Sequence, residues 1–147
     1  MCGLSAREIG DLPVFAGGIV RTSEGDLLCQ LRDNKPGIVN PGCWCVSPGG
    51  AVLEGESPEF ALQRELMEEF RVEVHLREKL LQCTEPQGAY RGVYHVFVAD
   101  LLTPREKVEC HEGIGVGFFR PHAALAFRQH PVATRAIQHY LAKYHGD

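Results

Sequence analysis

Glu65, Glu68 and Glu69 stand at i, i+3 and i+4 in the stretch PEFALQRELMEEF. Ser57 suits a helix N-cap, Pro58 the first helical position and Glu59 the positively polarised first turn, so this stretch is expected to be helical. At about 100° per residue the three carboxylates fall within roughly one third of the circumference. Leu66, Phe70, Met67 and Phe60 fall opposite and are expected to anchor the helix to a core. Carboxylates so close repel one another unless something positive sits among them. A hard divalent cation with oxygen ligands, Mg²⁺ or Mn²⁺, answers that need. Taken alone, such a charge run reads as a solvated face. Its flanks argue otherwise: Pro48-Gly49-Gly50 precedes the helix, Glu56 stands just before the cap, and Arg64 sits beside Glu65.

Gly50, Glu56, Arg64, Glu65, Leu66, Glu68, Glu69 and Val72 match, at the right intervals, the pattern G-x5-E-x7-R-E-U-x-E-E-x-G-U, with U a bulky apolar residue. The stretch resembles the signature of the Nudix hydrolases, and a match at many positions in its loop and helix context is specific. One position departs, Arg71 standing where the pattern has its last glycine. The resemblance implies an α/β/α sandwich with a mixed β-sheet between helices. It also implies hydrolysis of a diphosphate bond in a nucleoside diphosphate linked to a further group, with Mg²⁺ or Mn²⁺ as cofactor. Glu68 and Glu69 would be metal ligands, Glu65 a ligand or the base, and Gly50 a main-chain contributor. Arg64 would orient Glu65 and pair with Glu56, which supports the site by holding loop against helix. An α-carbon at Arg71 in a left-handed conformation costs on the order of 1 kcal/mol, so the helix end is expected to be strained or altered.

Outside this box the residues leave alternatives open. Arg32, at the end of a strand, matches a basic residue that faces phosphates in many relatives, or is a solvated strand end. Glu112 matches a glutamate before a late strand and reads as an extra metal ligand, a general base or a surface carboxylate. Trp44 and Tyr90 are candidates to stack on a nucleobase, with core packing the commoner use of such side chains. Pro86 and Tyr90 each match a marker of a different family subgroup, so they leave the substrate open between a nucleoside triphosphate, oxidised or not, and a nucleotide sugar. Two other readings compete: a fold that senses a nucleotide without cutting it, and hydrolysis of an RNA 5′ end. The intact Arg64, Glu65, Glu68 and Glu69 argue against the first.

The chain of 147 residues is long enough for one domain with a core, and is read as a single domain over 1–147. Its 44% hydrophobic and 23% charged residues fit a soluble globular protein. Fifteen Lys and Arg against nineteen Asp and Glu give a net charge of −4, which argues against broad nucleic-acid binding and for a small nucleotide partner. No apolar run reaches the length of a membrane span and the opening segment lacks a leader pattern, so a cytoplasmic location is expected. The six cysteines follow no zinc spacing. Homodimers are common among the relatives, with no residue here to mark an interface.

The elements that must position these residues are also legible. Pro13 to Val20 and Asp26 to Arg32 read as strands joined by a polar Thr22-Ser23-Glu24-Gly25 turn. Short strands are expected at Cys43 to Val46 and Ala51 to Leu53, on either side of a Pro-Gly-Gly turn. Val72 to Cys83, Arg91 to Ala99 and Gly113 to Phe119 read as further strands. Ala133, Ile137, Tyr140, Leu141 and Tyr144 mark one face of a helix beginning near Pro131.

Overall fold

A computed structural model describes residues 10–145; Cys2 and most of the opening segment read for a leader lie outside them. Seven strands form one mixed sheet: β1 (Val14–Arg21), β2 (Leu27–Leu31), β3 (Trp44–Cys45), β4 (Gly49–Ala51), β5 (Val74–Glu85), β6 (Gly92–Leu101) and β7 (Gly115–Phe119). Their main order is β3-β2-β1-β6-β5, with β4 paired to β1 and β7 to β2. β1 and β6 run parallel over the full length of β1, and the other pairs are antiparallel. Helix α1 (Pro58–Phe70) covers one face and α2 (Pro131–Tyr144) the other, which makes an α/β/α sandwich.

The period-two alternation of strands builds both cores at once. Ala16, Val20, Leu28, Phe97 and Ala99 meet Ala61, Leu62, Leu66 and Phe70 of α1. Ile19, Leu27, Cys29, Val96 and Val98 meet Val132, Ala133, Ala136, Ile137 and Tyr140 of α2. β1 is therefore shared by both layers, and the position of α1 is fixed from below. Gly18 of β1 makes room for that helix, since a Cβ there would lie 3.1 Å from Leu62 Cδ2.

Two expectations need correction. The strand placed at Ala51 to Leu53 lies at Gly49–Ala51, so the two glycines form a strand rather than a turn. Close approach explains it: Gly49 pairs with Gly17, and a Cβ on Gly49 would fall 2.0 Å from the Ala16 carbonyl oxygen. The apolar face of α1 also differs. Phe60 and Met67 are 58% and 38% exposed, while Glu69 is 5% exposed and lies on the buried arc with Leu62, Leu66 and Phe70. The helix turns Glu69 towards the sheet, not away from it.

Ser57 caps α1 by accepting from the Phe60 N–H at 3.1 Å, with Pro58 in the first turn. Arg71 ends it in the left-handed region, φ 56° and ψ 41°, its N–H donating to the Met67 carbonyl. This single residue turns the chain sharply, and the exposed carbonyls of Glu69 and Phe70 then accept from the His111 and Glu109 N–H groups at 2.7 and 3.0 Å. Carbonyls that a helix end leaves without partners are thus used to hold a distant loop. Glycine at position 71 would meet the same dihedrals without the side-chain clash. Arg71→Gly is expected to raise stability by up to about 1 kcal/mol, read as a higher urea midpoint at unchanged slope. A lower midpoint would assign the Arg71 side chain a contact that outweighs its strain.

Candidate active site

Carboxylate oxygens of Glu65, Glu69 and Glu112 lie within 4.8 Å of one another. Glu65 and Glu69 are one turn apart on α1, and Glu112 comes from the loop between β6 and β7. Glu69 Oε2 is buried and makes no hydrogen bond. Burial, then the neighbouring Glu112 and Glu65 carboxylates, push the Glu69 carboxyl well above the usual carboxylate range. A buried acceptor without a donor, beside two further anionic oxygens, suits a hard divalent cation. Glu68 stands apart from this trio, with its side chain 56% exposed.

Arg64 organises the outer side. Its Nε and Nη2 donate to both oxygens of Glu56, at 2.6 and 2.9 Å, a bidentate pairing. Nη1 donates to Glu65 Oε1 at 3.0 Å and to Glu68 Oε2 at 3.2 Å, and Nη2 also reaches the Ala51 carbonyl. Hydrogen bonding from Arg64 holds the Glu56 carboxyl below its ordinary pKa, and the Leu53 N–H adds to this. One guanidinium thus ties the loop, strand β4 and the helix together. Gly50 completes the arrangement, since a Cβ there would lie 2.5 Å from Glu65 Cδ and 2.7 Å from both its oxygens.

Beside Gly49 and Gly50 opens a cleft of about 280 Å³, walled by Phe15, Gln30, Arg32, Trp44, Arg91, Tyr94 and His130 among others. Two guanidinium groups and no carboxylate line it among the described residues. Arg32 donates through Nε to the Val39 carbonyl, which fixes its stem in the wall. Trp44 lines the cleft while packing edge-on against Phe119. Tyr90 lies behind the wall, its hydroxyl donating to Asn40 Oδ1 and its ring packed against His130. Phe15 and Tyr94 stack at 5.1 Å between centroids.

Gln30, Tyr94 and His130 did not emerge from the sequence. Gln30 had one usable signal, a lone amide within the apolar strand LLCQL. His130 immediately precedes the helical Pro131 and acts as its cap: Nδ1 accepts from the Val132 N–H at 3.0 Å. Tyr94 Oη donates to the Tyr90 carbonyl, so the contact between His130 Nε2 and Tyr94 Oη at 3.1 Å carries the imidazole proton. The ring is neutral, with its tautomer set by both neighbours.

An α/β/α sandwich thus carries an acidic centre built from one helix and one loop, with a cleft on the other side of Gly50. The family model for the NUDIX domain matches residues 12–140. The chain belongs to this family and is a Nudix hydrolase. Its fold is similar to the NUDIX hydrolase from Nitrosomonas europaea, with TM-score 0.72 and 26% identity over 91% of this chain and 72% of that one. The MutT protein from Methanosarcina mazei Go1 shares the fold at TM-score 0.70 and 19% identity, covering 92% of this chain and 96% of that one. A C. elegans Ap4A hydrolase does so at TM-score 0.67 and 18% identity, covering 90% and 99%. A search of curated protein sequences finds no match. No helix among the described residues is long and apolar enough to cross a membrane.

Two outcomes follow from this geometry. Gly50→Ala is expected to leave the fold in place but drive the Glu65 carboxylate from its position, lowering turnover at least about 10-fold. Full activity in that variant would show that Glu65 has room to move. Burial first, and the charge of Arg32 second, push the His130 imidazole down to about 4 from 6.5. Between these values the unfolded chain binds the proton and the folded chain does not. The stability contributed by the neutral ring is therefore complete above pH 6.5 and is lost as pH falls towards 4. Melting curves across that range should show wild type losing more than His130→Asn, which keeps a capping side chain and cannot titrate. Parallel losses would assign the acid sensitivity to other groups.

Proposed function

We propose that this chain is a metal-dependent pyrophosphohydrolase that cleaves the diphosphate bond of a nucleoside diphosphate linked to a further group, with a nucleoside triphosphate or nucleotide sugar as substrate. The observation that carries this reading is the trio Glu65, Glu69 and Glu112, with Glu69 Oε2 buried and unpaired, and with Glu65 set against Gly50, which also lines the cleft. Glu65, Glu69 and Glu112 would hold Mg²⁺ or Mn²⁺ with the main chain of Gly50, and Glu68 would contribute from the outer side. The cation supplies charge neutralisation on the diphosphate and makes water more acidic. Arg64 fixes the direction of Glu65 and, through Glu56, keeps the loop from shifting as charge builds. Glu65 is tied by Arg64 and Glu69 is buried. Glu112 is exposed, so it has an oxygen free to take the proton of the attacking water.

The cleft binds the rest of the substrate. Arg32 and Arg91 offer positive charge to phosphate oxygens, while Trp44 and the Phe15–Tyr94 pair offer apolar surface to a nucleoside. We place the activity on a small substrate in solution, without a nucleic-acid or membrane partner; a homodimer and a cytoplasmic setting are compatible with that chemistry.

The test is phosphate and pyrophosphate release from nucleoside triphosphates, nucleotide sugars, ADP-ribose and dinucleoside polyphosphates, with Mg²⁺ or Mn²⁺. Glu69→Gln is expected to keep its fold and lose roughly 100-fold or more of turnover. Its melting temperature without metal should equal or exceed that of wild type, because a carboxylate buried beside two others is replaced by a neutral amide. The rise in melting temperature that wild type shows on adding Mn²⁺ should be absent. Unchanged turnover in Glu69→Gln would remove Glu69 from the metal site. Nucleotide binding without turnover across the panel would favour a sensor.

A further inference from the structure

Glu112 differs from the two helical glutamates in what holds it. It lies in an exposed loop, and its position depends on the backbone. The loop is tied on entry by the Glu109 and His111 N–H groups to the end of α1, and on exit by the Ile114 N–H to the Leu31 carbonyl at 2.8 Å. Between these ties, Gln30 Nε2 donates to the carbonyl of Glu112 itself at 3.0 Å. The Cys110 thiol reaches the same oxygen at 3.4 Å. Gln30 is 6% exposed, sits within β2 between Cys29 and Leu31, and also walls the cleft. Gly113 lets the loop press onto it: at φ +84°, a Cβ there would lie 2.5 Å from the Leu31 oxygen and 3.3 Å from Gln30 Cγ.

An amide in a buried strand position loses hydration that an apolar side chain would not miss, so its bond is the reason to keep it there. We propose that Gln30 is a positioning residue for Glu112. Its amide sets where that carboxylate stands relative to Glu65 and Glu69, and it joins the wall of the substrate cleft to the carboxylate loop. This rests on the cation-holding role given to the trio above.

The experiment is a double-mutant cycle on the full chain, using Gln30→Met, Glu112→Gln and the pair. It reads Mn²⁺ affinity by titration, and kcat and KM for the best substrate. Gln30→Met keeps the shape and loses the donor. It is expected to weaken Mn²⁺ binding and lower kcat by roughly 10-fold, as loss of a supporting hydrogen bond at a metal site does, with KM little changed. In the Glu112→Gln background it should cost almost nothing further. Gln30→Asn, with the amide retained but one methylene too short, should behave like Gln30→Met. Additive losses in the cycle, a rise in KM alone, or unfolding of both Gln30 variants would overturn the proposal. Wild type that binds no Mn²⁺ would sink the metal reading itself; Mn²⁺ binding unaffected by Gln30→Met would sink only the role of Gln30.

Discussion

Like charges held together are the constraint around which this molecule is arranged. Three carboxylates with oxygens within 4.8 Å oppose one another, and one of them, Glu69, is also buried. Among the described residues no cationic side chain pairs with the inner two: Arg64 bonds Glu56, Glu65 and Glu68, and leaves Glu69 and Glu112 uncompensated. A single guanidinium against two half-buried glutamates and one exposed one still leaves the cluster net negative. In a protein interior that deficit is expensive, and either protonation or a bound cation removes it. The raised carboxyl of Glu69 is the first remedy. The second is the chemistry of the family to which the chain belongs.

Rigid support keeps such a cluster from relieving itself by moving apart. α1 is fixed because its underside, from Ala61 to Phe70, interlocks with β1, β2 and β6, while β1 is packed from the other side by the core under α2. Gly50 has no side chain, so the Glu65 carboxylate rests directly on β4. The end of the helix is recruited as well. The left-handed turn at Arg71 exposes two carbonyls that accept from the loop carrying Glu112, so a departure from the family pattern at this residue does not loosen the loop. The conformation that glycine favours is kept, at the cost of some backbone strain.

Much of this was legible in the sequence because it is local. Ser57 and Pro58 start α1 where their types require, and Pro131 starts α2. The spacing of Glu56, Arg64 and Glu65 encodes an ion pairing that needs only one helix and one loop. What was not legible depends on tertiary distance. The apolar character of Phe60 and Met67 suggested a buried face, yet both point outward and the buried arc takes Glu69 instead. The glycines of Pro48-Gly49-Gly50 read as a turn because the close approach of Gly17 and of Glu65 cannot be seen in a string of residues. The cleft was the least legible part, since Phe15, Gln30, Arg91 and His130 come from four separate segments. Hydrophobic periodicity assigns each to an element without saying that their ends converge.

The two halves of the site carry opposite charge, and this separation has a physical use. The cluster is anionic, while the cleft wall holds Arg32 and Arg91 and no carboxylate. A polyanion entering alone would be drawn to the guanidinium groups and repelled by the glutamates. A divalent cation held by the cluster would remove that repulsion. Under the proposed function, metal and substrate would then favour each other's binding through charge. Gln30 belongs to both halves, since it lines the cleft and its amide donates to the Glu112 carbonyl on the carboxylate loop. Under the role proposed for Gln30, a ligand in the cleft would meet a residue that also supports the third carboxylate.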